Sequence, residues 1–202
     1  AVSLLIFVVT LVFSLPLGLI VAFGRMTKNG FLRNLVKVYI SIMRGTPLML
    51  QLMVVYFGPY YLFGIRVGSG YRLWATFIGF VINYAAYFAE IYRSGIQSMP
   101  QGQYEAAYIL GYSRFQTFFK IILPQVIKRI LPSITNEVIT LVKDTSLAFT
   151  LSVVEMFSVA KALASSQTSM IPFVAAGLFY YIFNLIVACT MEWMEKKLEY
   201  YR

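Results

Sequence analysis

Long apolar runs without charge limit what this chain can fold into more than any other feature. A helix needs about 20 apolar residues to cross the hydrocarbon core of a bilayer. Four runs qualify, the third through its polar extension: residues 1–24, 45–65, 73–89 and 162–191. A fifth apolar run, 125–154, is interrupted by Pro132, Glu137, Lys143 and Asp144. We therefore predict an all-α polytopic membrane protein with about five transmembrane helices, the fourth of them broken.

The composition leaves little room for an additional soluble domain. Of the 202 residues, 59% are hydrophobic and 12% are charged, against about 45–50% and about 25% in ordinary globular proteins. We interpret residues 1–202 as a single membrane domain. The first run lacks a basic leader and a small-residue cleavage site, so we expect a truncated membrane anchor rather than a signal peptide.

The basic residues predict the orientation, because cytoplasmic loops are enriched in Lys and Arg. They cluster after the first, third and last spans: Arg25, Lys28, Arg33 and Lys37; Arg93, Arg114, Lys120, Lys128 and Arg129; Lys196, Lys197 and Arg202. The opposite side receives Arg66, Arg72 and Lys161. We expect the N-terminus outside and the C-terminus in the cytoplasm. The net charge of +9 follows from this topology in a lipid bilayer, and we expect no nucleic-acid partner.

The rare reactive residues exclude most catalytic chemistry. The sequence has no His and a single Cys, Cys189, which excludes an intramolecular disulfide, a His metal cluster and a His-based triad. It also lacks the G-x-x-x-x-G-K-[ST] motif that holds nucleotide phosphates. We therefore expect neither enzyme activity nor a bound metal or cofactor in this chain. Energy for active transport then comes from a partner or an ion gradient.

The segment 100–124 is too polar to span a membrane and too long for a tight turn. Gly111 can adopt the left-handed conformation that ends a helix. Ser113 with Gln116 matches a capping box that begins another helix. We therefore predict two short helices joined at Gly111.

The side chains of these two helices predict what each one contacts. On the first helix, Ala106 and Ala107 form a face of small side chains beside Tyr104 and Glu105. Another protein can approach this face closely. The second has apolar side chains that can hold it against the membrane-embedded body: Phe115, Phe118, Phe119 and Ile122. The alternative is an interfacial amphipathic hairpin without a partner.

The same segment resembles the cytoplasmic signature of ABC importer permease subunits. Its Glu105-Ala106-Ala107 is followed after three residues by Gly111 and, nine residues later, by Ile121, one residue and Leu123-Pro124. Three stretches look like the subfamily that imports polar amino acids: residues 90–107 (EIYRSGIQSMPQGQYEAA), 44–48 (RGTPL) and 143–147 (KDTSL). The resemblance covers nearly the whole chain and is weakest over its first 43 residues.

This resemblance implies a type I ABC importer fold, with five membrane helices and short cytoplasmic coupling helices, in the plasma membrane of a prokaryote. It implies a second permease subunit, identical or homologous, and an extracytoplasmic amino acid-binding protein. It further implies two cytoplasmic ABC ATPases, which use ATP and Mg. The ATPases are expected to dock on the loop helix at Tyr104, Glu105, Ala106, Ala107 and Gly111.

Two polar residues lie at a similar depth in separate spans. At about 1.5 Å per residue, Asn83 lies about 18 Å from the cytoplasmic end of the third span, and Glu137 lies at a similar depth in the fourth. Transporter sites commonly lie near the bilayer midplane. We predict a substrate site formed by these two with Tyr87, Asn136 and Thr140. The alternative is a structural Glu137 that bonds to Asn83, Tyr87 or a neighbouring helix.

The chemistry of this site predicts the substrate class. An anionic side chain among neutral hydrogen-bonding groups suits the ammonium end of an amino acid, and also the side chain of arginine, lysine or histidine. Further along the chain, four polar residues are candidates for a gate or for contacts with the zwitterionic end: Lys143, Asp144, Thr145 and Ser146. We also expect an ion pair between Glu90 and Arg93, three residues apart on one helix face, and a solvated Glu155.

Two rival classes of function remain at this point. An ion-gradient-driven secondary amino acid transporter or channel explains Glu137 and Asp144 equally well, but it does not require a partner-facing Ala-Ala helix in the cytoplasm. An intramembrane enzyme fits less well, because its acid and base would have to be carboxylates or Tyr and Lys. Dependence of transport on ATP distinguishes these classes.

Overall fold

The computed structural model describes residues 1–198, so Arg202, which the orientation argument used, lies outside the described part. The helices are α1 (Val2–Met26), α2 (Gly30–Gly45), α3 (Leu48–Phe63), α4 (Tyr71–Gln97), α5 (Gln101–Ile109), α6 (Arg114–Gln116), α7 (Leu123–Asp144), α8 (Met156–Gln167) and α9 (Ile171–Leu198). A π-helical turn, Thr117–Ile122, joins α6 to α7, and a 3-10 turn, Thr145–Leu151, follows α7.

The described helices agree with the predicted all-α membrane fold of about five spans. Three of them, α1, α4 and α9, are long and apolar enough to cross a membrane alone. Two bent pairs raise the number to as many as five. One pair is α2 with α3, bent by 113°, and the other is Arg114–Leu151 with α8, bent by 61°. The fourth span is therefore bent, but after Leu151 and not where its polar residues predicted a break, because α7 continues through Pro132 and Glu137 to Asp144.

Two predicted span boundaries are wrong. The run 45–65 is not one straight helix, because α3 begins only at Leu48. Thr46 has an extended backbone, with φ −124° and ψ 149°, since a following proline disfavours the α conformation. The run 162–191 is likewise divided: Thr168 adopts a left-handed conformation with φ 49° and ends α8, and α9 begins at Ile171.

The centre of the domain is the packing of α1 along α4. Gly18 on α1 lies so close to α4 that a Cβ atom there would be 2.9 Å from the Cβ of Phe88 and 3.1 Å from the carbonyl oxygen of Ala85. Ala22 and Ala89 are both fully buried. Small residues therefore let these two backbones approach closely, as four-residue spacing of small residues predicts.

The cytoplasmic loop contains the predicted turn and cap. Gly111 has a left-handed backbone with φ 77°, and Ser113 with Gln116 forms a complete capping box at the start of α6. The predicted apolar face is only half correct: Ile122 and Phe118 pack on the body, whereas Phe115 and Phe119 are 71% and 48% exposed. The π-helical turn causes this difference, because its wider turn rotates side chains away from the face that a 3.6-residue period predicts.

Candidate functional site

A cleft of about 280 Å³ lies between the bend after α2, helix α4 and helix α7. Its lining includes five of the residues predicted from the sequence: Asn83, Tyr87, Glu137, Thr140 and Asp144. Thr46, Pro47, Leu48, Tyr84 and Leu147 complete it. The expected meeting of Asn83 with Glu137, inferred from depth in separate spans, is therefore present in the structure.

Four other predicted residues lie outside this cleft. Asn136 and Lys143 are exposed on the surface of α7. Thr145 is fully buried, and its hydroxyl donates to the Val142 carbonyl at 2.8 Å. The hydroxyl of Ser146 donates to the Lys143 carbonyl at 2.8 Å. Of the predicted gate residues, Asp144 alone reaches the cleft, because neighbouring residues of a helix point about 100° apart.

The amide of Asn83 is committed to the protein itself. The side chain is 4% exposed, and its Nδ2 donates to the Gln51 Oε1 at 2.9 Å and to the Met43 carbonyl at 3.2 Å. An amide nitrogen has two hydrogens, so both are used. The Oδ1 atom of Asn83 is the part that a substrate in the cleft can contact.

Sequence reasoning missed Gln51 and Thr46. Gln51 Nε2 has three acceptors within hydrogen-bond distance that share its two hydrogens: the Met43 carbonyl at 2.9 Å, the Thr46 carbonyl at 3.1 Å and the Thr46 Oγ1 at 2.8 Å. These bonds hold the bend between α2 and α3 against Asn83. The signal was available, because Gln51 is the one amide side chain in the apolar run 45–65.

Two carboxylates give the cleft its charge. Tyr84 donates its hydroxyl hydrogen to Asp144 Oδ2 at 2.7 Å. Within residues 1–198, the half-buried carboxylate of Glu137 makes no hydrogen bond, so the structure does not contain the alternative in which Glu137 bonds to Asn83 or Tyr87. No cationic side chain of the described residues lines this cleft. The arrangement suits a positively charged ligand group.

A second cleft of about 340 Å³ continues from the first and shares Tyr87 and Glu137 with it. Arg44 lines this second cleft, and its guanidinium carbon lies 5.4 Å from the centre of the Tyr87 ring. Glu90 lines it as well. The predicted ion pair is confirmed, since Arg93 Nε donates to Glu90 Oε2 at 3.1 Å. Glu137 therefore lies where two polar clefts meet.

The loop helix α5 exposes the predicted docking residues except Ala107. Ala107 is 1% exposed, because α5 folds back onto the π-helical turn and the Ala107 carbonyl accepts a hydrogen bond from Tyr112 N at 3.0 Å. All other residues of the helix are exposed, among them Tyr104, Glu105 and Ala106 of the predicted surface, together with Tyr108 and Ile109. A partner that docks on α5 would contact these side chains and not Ala107.

Glu155 is not solvated, contrary to the expectation. The side chain is 2% exposed and caps the start of α8. Its carboxylate accepts hydrogen bonds from Phe157 N at 2.7 Å, Ser158 N at 2.6 Å and the Tyr180 hydroxyl at 3.2 Å. A carboxylate is favourable at a helix N-terminus because the first backbone N–H groups lack partners there. Glu155 therefore has a structural role.

Known proteins resemble this chain over almost its whole length. The family described as "Binding-protein-dependent transport system inner membrane component" matches residues 14–200. The probable amino-acid ABC transporter permease protein YckA of Bacillus subtilis is 39% identical over 200 residues, which cover 98% of this chain and 87% of that protein. The octopine transport system permease protein OccM of Rhizobium radiobacter is 38% identical over 195 residues, which cover 90% of this chain and 80% of that protein.

A solved structure shares the fold as well. The crystal structure of an amino acid ABC transporter with histidines contains a chain that matches this one with a TM-score of 0.86 at 28% sequence identity. The match covers 96% of this chain and 90% of that chain.

Proposed function

The chain belongs to the family of binding-protein-dependent transport system inner membrane components, and from this premise we propose which solutes it carries and how. It is a multi-pass permease subunit of an ABC importer in the bacterial inner membrane. We propose that polar amino acids, and preferentially basic ones, pass through its two connected clefts. The relatives named for amino-acid and octopine transport support an amino acid as the cargo.

The observation that carries the proposed preference is the pair of carboxylates in the first cleft. Glu137 lines this cleft and makes no hydrogen bond within residues 1–198, so its carboxylate can accept hydrogen bonds from an ammonium or guanidinium group. Asp144 lies in the same cleft, with Tyr84 bonded to one of its oxygens. Tyr87, Thr140 and the Oδ1 atom of Asn83 supply neutral polar contacts. With a volume of about 280 Å³, the cleft is at the small end of ligand sites, which suits one amino acid.

The clefts also suggest the route of the solute. Glu137 and Tyr87 line both, so a cation released from the first cleft meets the same carboxylate from the side of the second. Transporters of this kind alternate access to a fixed site by moving one group of helices against another. In this proposal the second cleft, which continues toward Ser98 at the end of α4, is the cytoplasmic exit.

The power source lies in partner subunits. Two ABC ATPases, which use ATP and Mg, dock on the exposed side chains of α5, a second permease subunit completes the path, and an extracytoplasmic protein delivers the amino acid. Closure of the ATPases shifts α5 and the π-helical turn, and this movement biases the bundle between outward-open and inward-open packing.

Uptake into proteoliposomes tests the substrate preference. Glu137→Gln removes the charge and keeps the shape, so we expect the KM for arginine to rise about tenfold or more, as for a lost charged hydrogen bond, and the KM for glutamine to change less. Glu192→Gln is the matched control, because Glu192 is ion-paired with Lys196 on exposed α9. Equal losses for arginine and glutamine would overturn the proposed preference for basic amino acids.

The same vesicles separate this function from its rival. Uptake should require ATP on the side of α5 and persist when ion gradients are collapsed. Uptake that follows a proton or sodium gradient without ATP would instead support a secondary transporter.

A further inference from the structure

Arg44 is a cation at the junction of the first and second clefts. It lies in the last turn of α2 and lines the second cleft. Its guanidinium carbon is 5.4 Å from the centre of the Tyr87 ring, and Tyr87 lines both clefts. The negative potential of an aromatic face holds a guanidinium in such a position. Arg44 is therefore placed where one cleft opens into the other.

The guanidinium of Arg44 is available to a ligand. The side chain is exposed, and within residues 1–198 it makes no hydrogen bond and no salt bridge. The charges of Glu90 and Glu137 act on it through space, but Glu90 is paired with Arg93. A guanidinium carries five N–H groups in a planar fork. None of those on Arg44 has an acceptor in the described part of the chain.

Other cations near the clefts are engaged or point elsewhere. Arg129 lines the second cleft, but its Nη1 donates to the Ser98 carbonyl at 2.7 Å and to the Ser98 Oγ at 3.1 Å. Ser98 lies eleven residues beyond Tyr87 at the end of α4, which is about 16 Å of helix. Lys143, which the sequence suggested for the zwitterionic end, is exposed and lines neither cleft.

The first cleft contains no partner for the negative end of an amino acid. Its carboxylates, Glu137 and Asp144, suit ammonium and guanidinium groups, and no cation of the described residues lines it. An amino acid also carries an α-carboxylate, which is costly to bury without a partner. Arg44 provides a cation just beyond Glu137, on the side of the second cleft. A guanidinium binds a carboxylate through two parallel hydrogen bonds.

We propose that Arg44 binds the α-carboxylate of the transported amino acid, while its cationic groups face Glu137 and Asp144. This inference rests on the proposed function, because it takes the two connected clefts as the path of an amino acid. The solute lies across the junction, with its carboxylate toward the second cleft. Arg44 thus separates amino acids from amines of the same shape, a distinction that the two carboxylates alone cannot make.

Binding to the purified complex of permease and ATPase, without the extracytoplasmic protein, tests this assignment. The ligands are arginine and argininamide, in which a neutral amide of the same shape replaces the α-carboxylate. At about pH 6.5 the α-ammonium group of both is mostly protonated. The concentration dependence of thermal stabilisation gives a separate dissociation constant for each ligand. The readout is the ratio of the two constants, called the carboxylate preference.

The expected result is a loss of preference in one variant. The wild type should bind arginine about tenfold or more tightly than argininamide, as for a charged hydrogen-bonded pair. In Arg44→Gln the preference should fall to about one, because arginine binds more weakly and argininamide does not. Arg33→Gln removes an exposed cation from the same helix and should keep the wild-type preference. Arg44→Lys should keep part of it, which separates a lost contact from a disrupted bend.

Equal preferences in the wild type and Arg44→Gln would overturn the proposal. If both ligands also bind this variant more tightly, Arg44 instead competes with the solute for Glu137. A preference that falls to one in Arg129→Gln, but not in Arg44→Gln, would assign the carboxylate to Arg129.

Glutamine and glutaminamide separate a failure of this inference from a failure of the proposed function. This pair lacks the cationic side chain, so its preference reports on the carboxylate contact alone. Equal binding of arginine and glutamine by the wild type would contradict the preference for basic amino acids, whereas a glutamine preference that falls in Arg44→Gln would still support Arg44. Tighter binding of arginine than of glutamine, with both preferences unchanged in Arg44→Gln, would contradict the role of Arg44 alone.

Discussion

At the scale of single residues, one buried amide determines the direction of the chain between α2 and α3. Gln51 is 7% exposed, and it bonds to both sides of the bend and to Asn83. A polar group that loses its partner in such a dry position retains the full cost of its desolvation. The bend therefore depends on Gln51, and so do the positions of Thr46 and Pro47, which line the first cleft.

Replacement of Gln51 tests this dependence. Gln51→Leu leaves Asn83 and two backbone carbonyls without their partner, and we expect a loss of about 1–3 kcal/mol of stability. The measurement is the midpoint of thermal unfolding of the purified protein. Gln167→Leu is the control, because Gln167 is exposed at the end of α8. Equal midpoints for the two variants would contradict the structural role of Gln51.

Alanine substitutions of two glycines in membrane helices are expected to change the stability of the protein in opposite directions. Alanine is more favourable than glycine inside a helix by up to about 1 kcal/mol, and Gly177 on α9 has open space around it. Gly177→Ala should therefore leave the protein equally stable or more so. Gly18→Ala should destabilise it by about 1–3 kcal/mol, since the added methyl group collides with α4. Thermal midpoints compare the two variants, and a stabilised Gly18→Ala would refute the close packing of α1 on α4.

The residues of the substrate cleft could be predicted only in part. Depth along a helix is proportional to the residue number, so Asn83 and Glu137 could be placed together from their spacing alone. The direction in which a side chain points around a helix is harder to predict. Asn136 adjoins Glu137 in the sequence yet lies on the exposed side of α7. Gln51 is recognisable in the sequence as a lone amide in an apolar run, but its contact with Asn83 could not be predicted, because that contact depends on a bend of 113° after α2.

At the scale of elements, the loop 100–124 contains two features that short sequence motifs predict and one feature that no motif predicts. The turn at Gly111 and the capping box at Ser113 are local, so the sequence predicts both correctly. The π-helical turn depends on the contacts between the loop and the membrane-embedded body, and no spacing of residues in the sequence predicted it. Its consequence is large, because Ala107 faces inward and Phe115 faces outward.

Substitution of Gly111 tests whether this hairpin transmits motion. Valine is strained at a φ of 77°, at a cost of about 1–3 kcal/mol, so Gly111→Val should displace α5 and reduce ATP-driven uptake and ATPase co-purification together. Asparagine tolerates the left-handed conformation, so Gly111→Asn should retain both. If valine and asparagine behave alike, the turn geometry is not what coupling requires.

The exposed end of α5 can be tested separately from its fold. Tyr108 is 82% exposed, so Tyr108→Asp should leave the hairpin intact while it weakens ATPase co-purification. Ala107→Asp should instead disrupt the loop itself, because Ala107 is buried against it. Limited proteolysis distinguishes the two outcomes: the loop should become sensitive in Ala107→Asp alone. Cleavage of both variants at equal rates would place Tyr108 in the packing of the loop.

At the scale of the whole molecule, α7 carries a polar side chain on a surface that the rest of residues 1–198 leaves uncovered. Asn136 is exposed and lines neither cleft, although it belongs to a segment that spans the membrane. An amide that faces lipid is unfavourable, and polar residues in membrane helices commonly contact another helix. This face of α7 is therefore where we expect the second permease subunit.

A photo-crosslinking amino acid at position 136 tests this arrangement without any assumption about the identity of the second subunit. The matched control is position 179, because Phe179 is 65% exposed on apolar α9 and should face lipid. Illumination of intact membranes is expected to link position 136 to a second permease chain, identified by mass spectrometry, and to link position 179 to lipid. If both positions give lipid adducts only, α7 does not form the subunit interface, and the polar face must instead line the path of the solute within one chain.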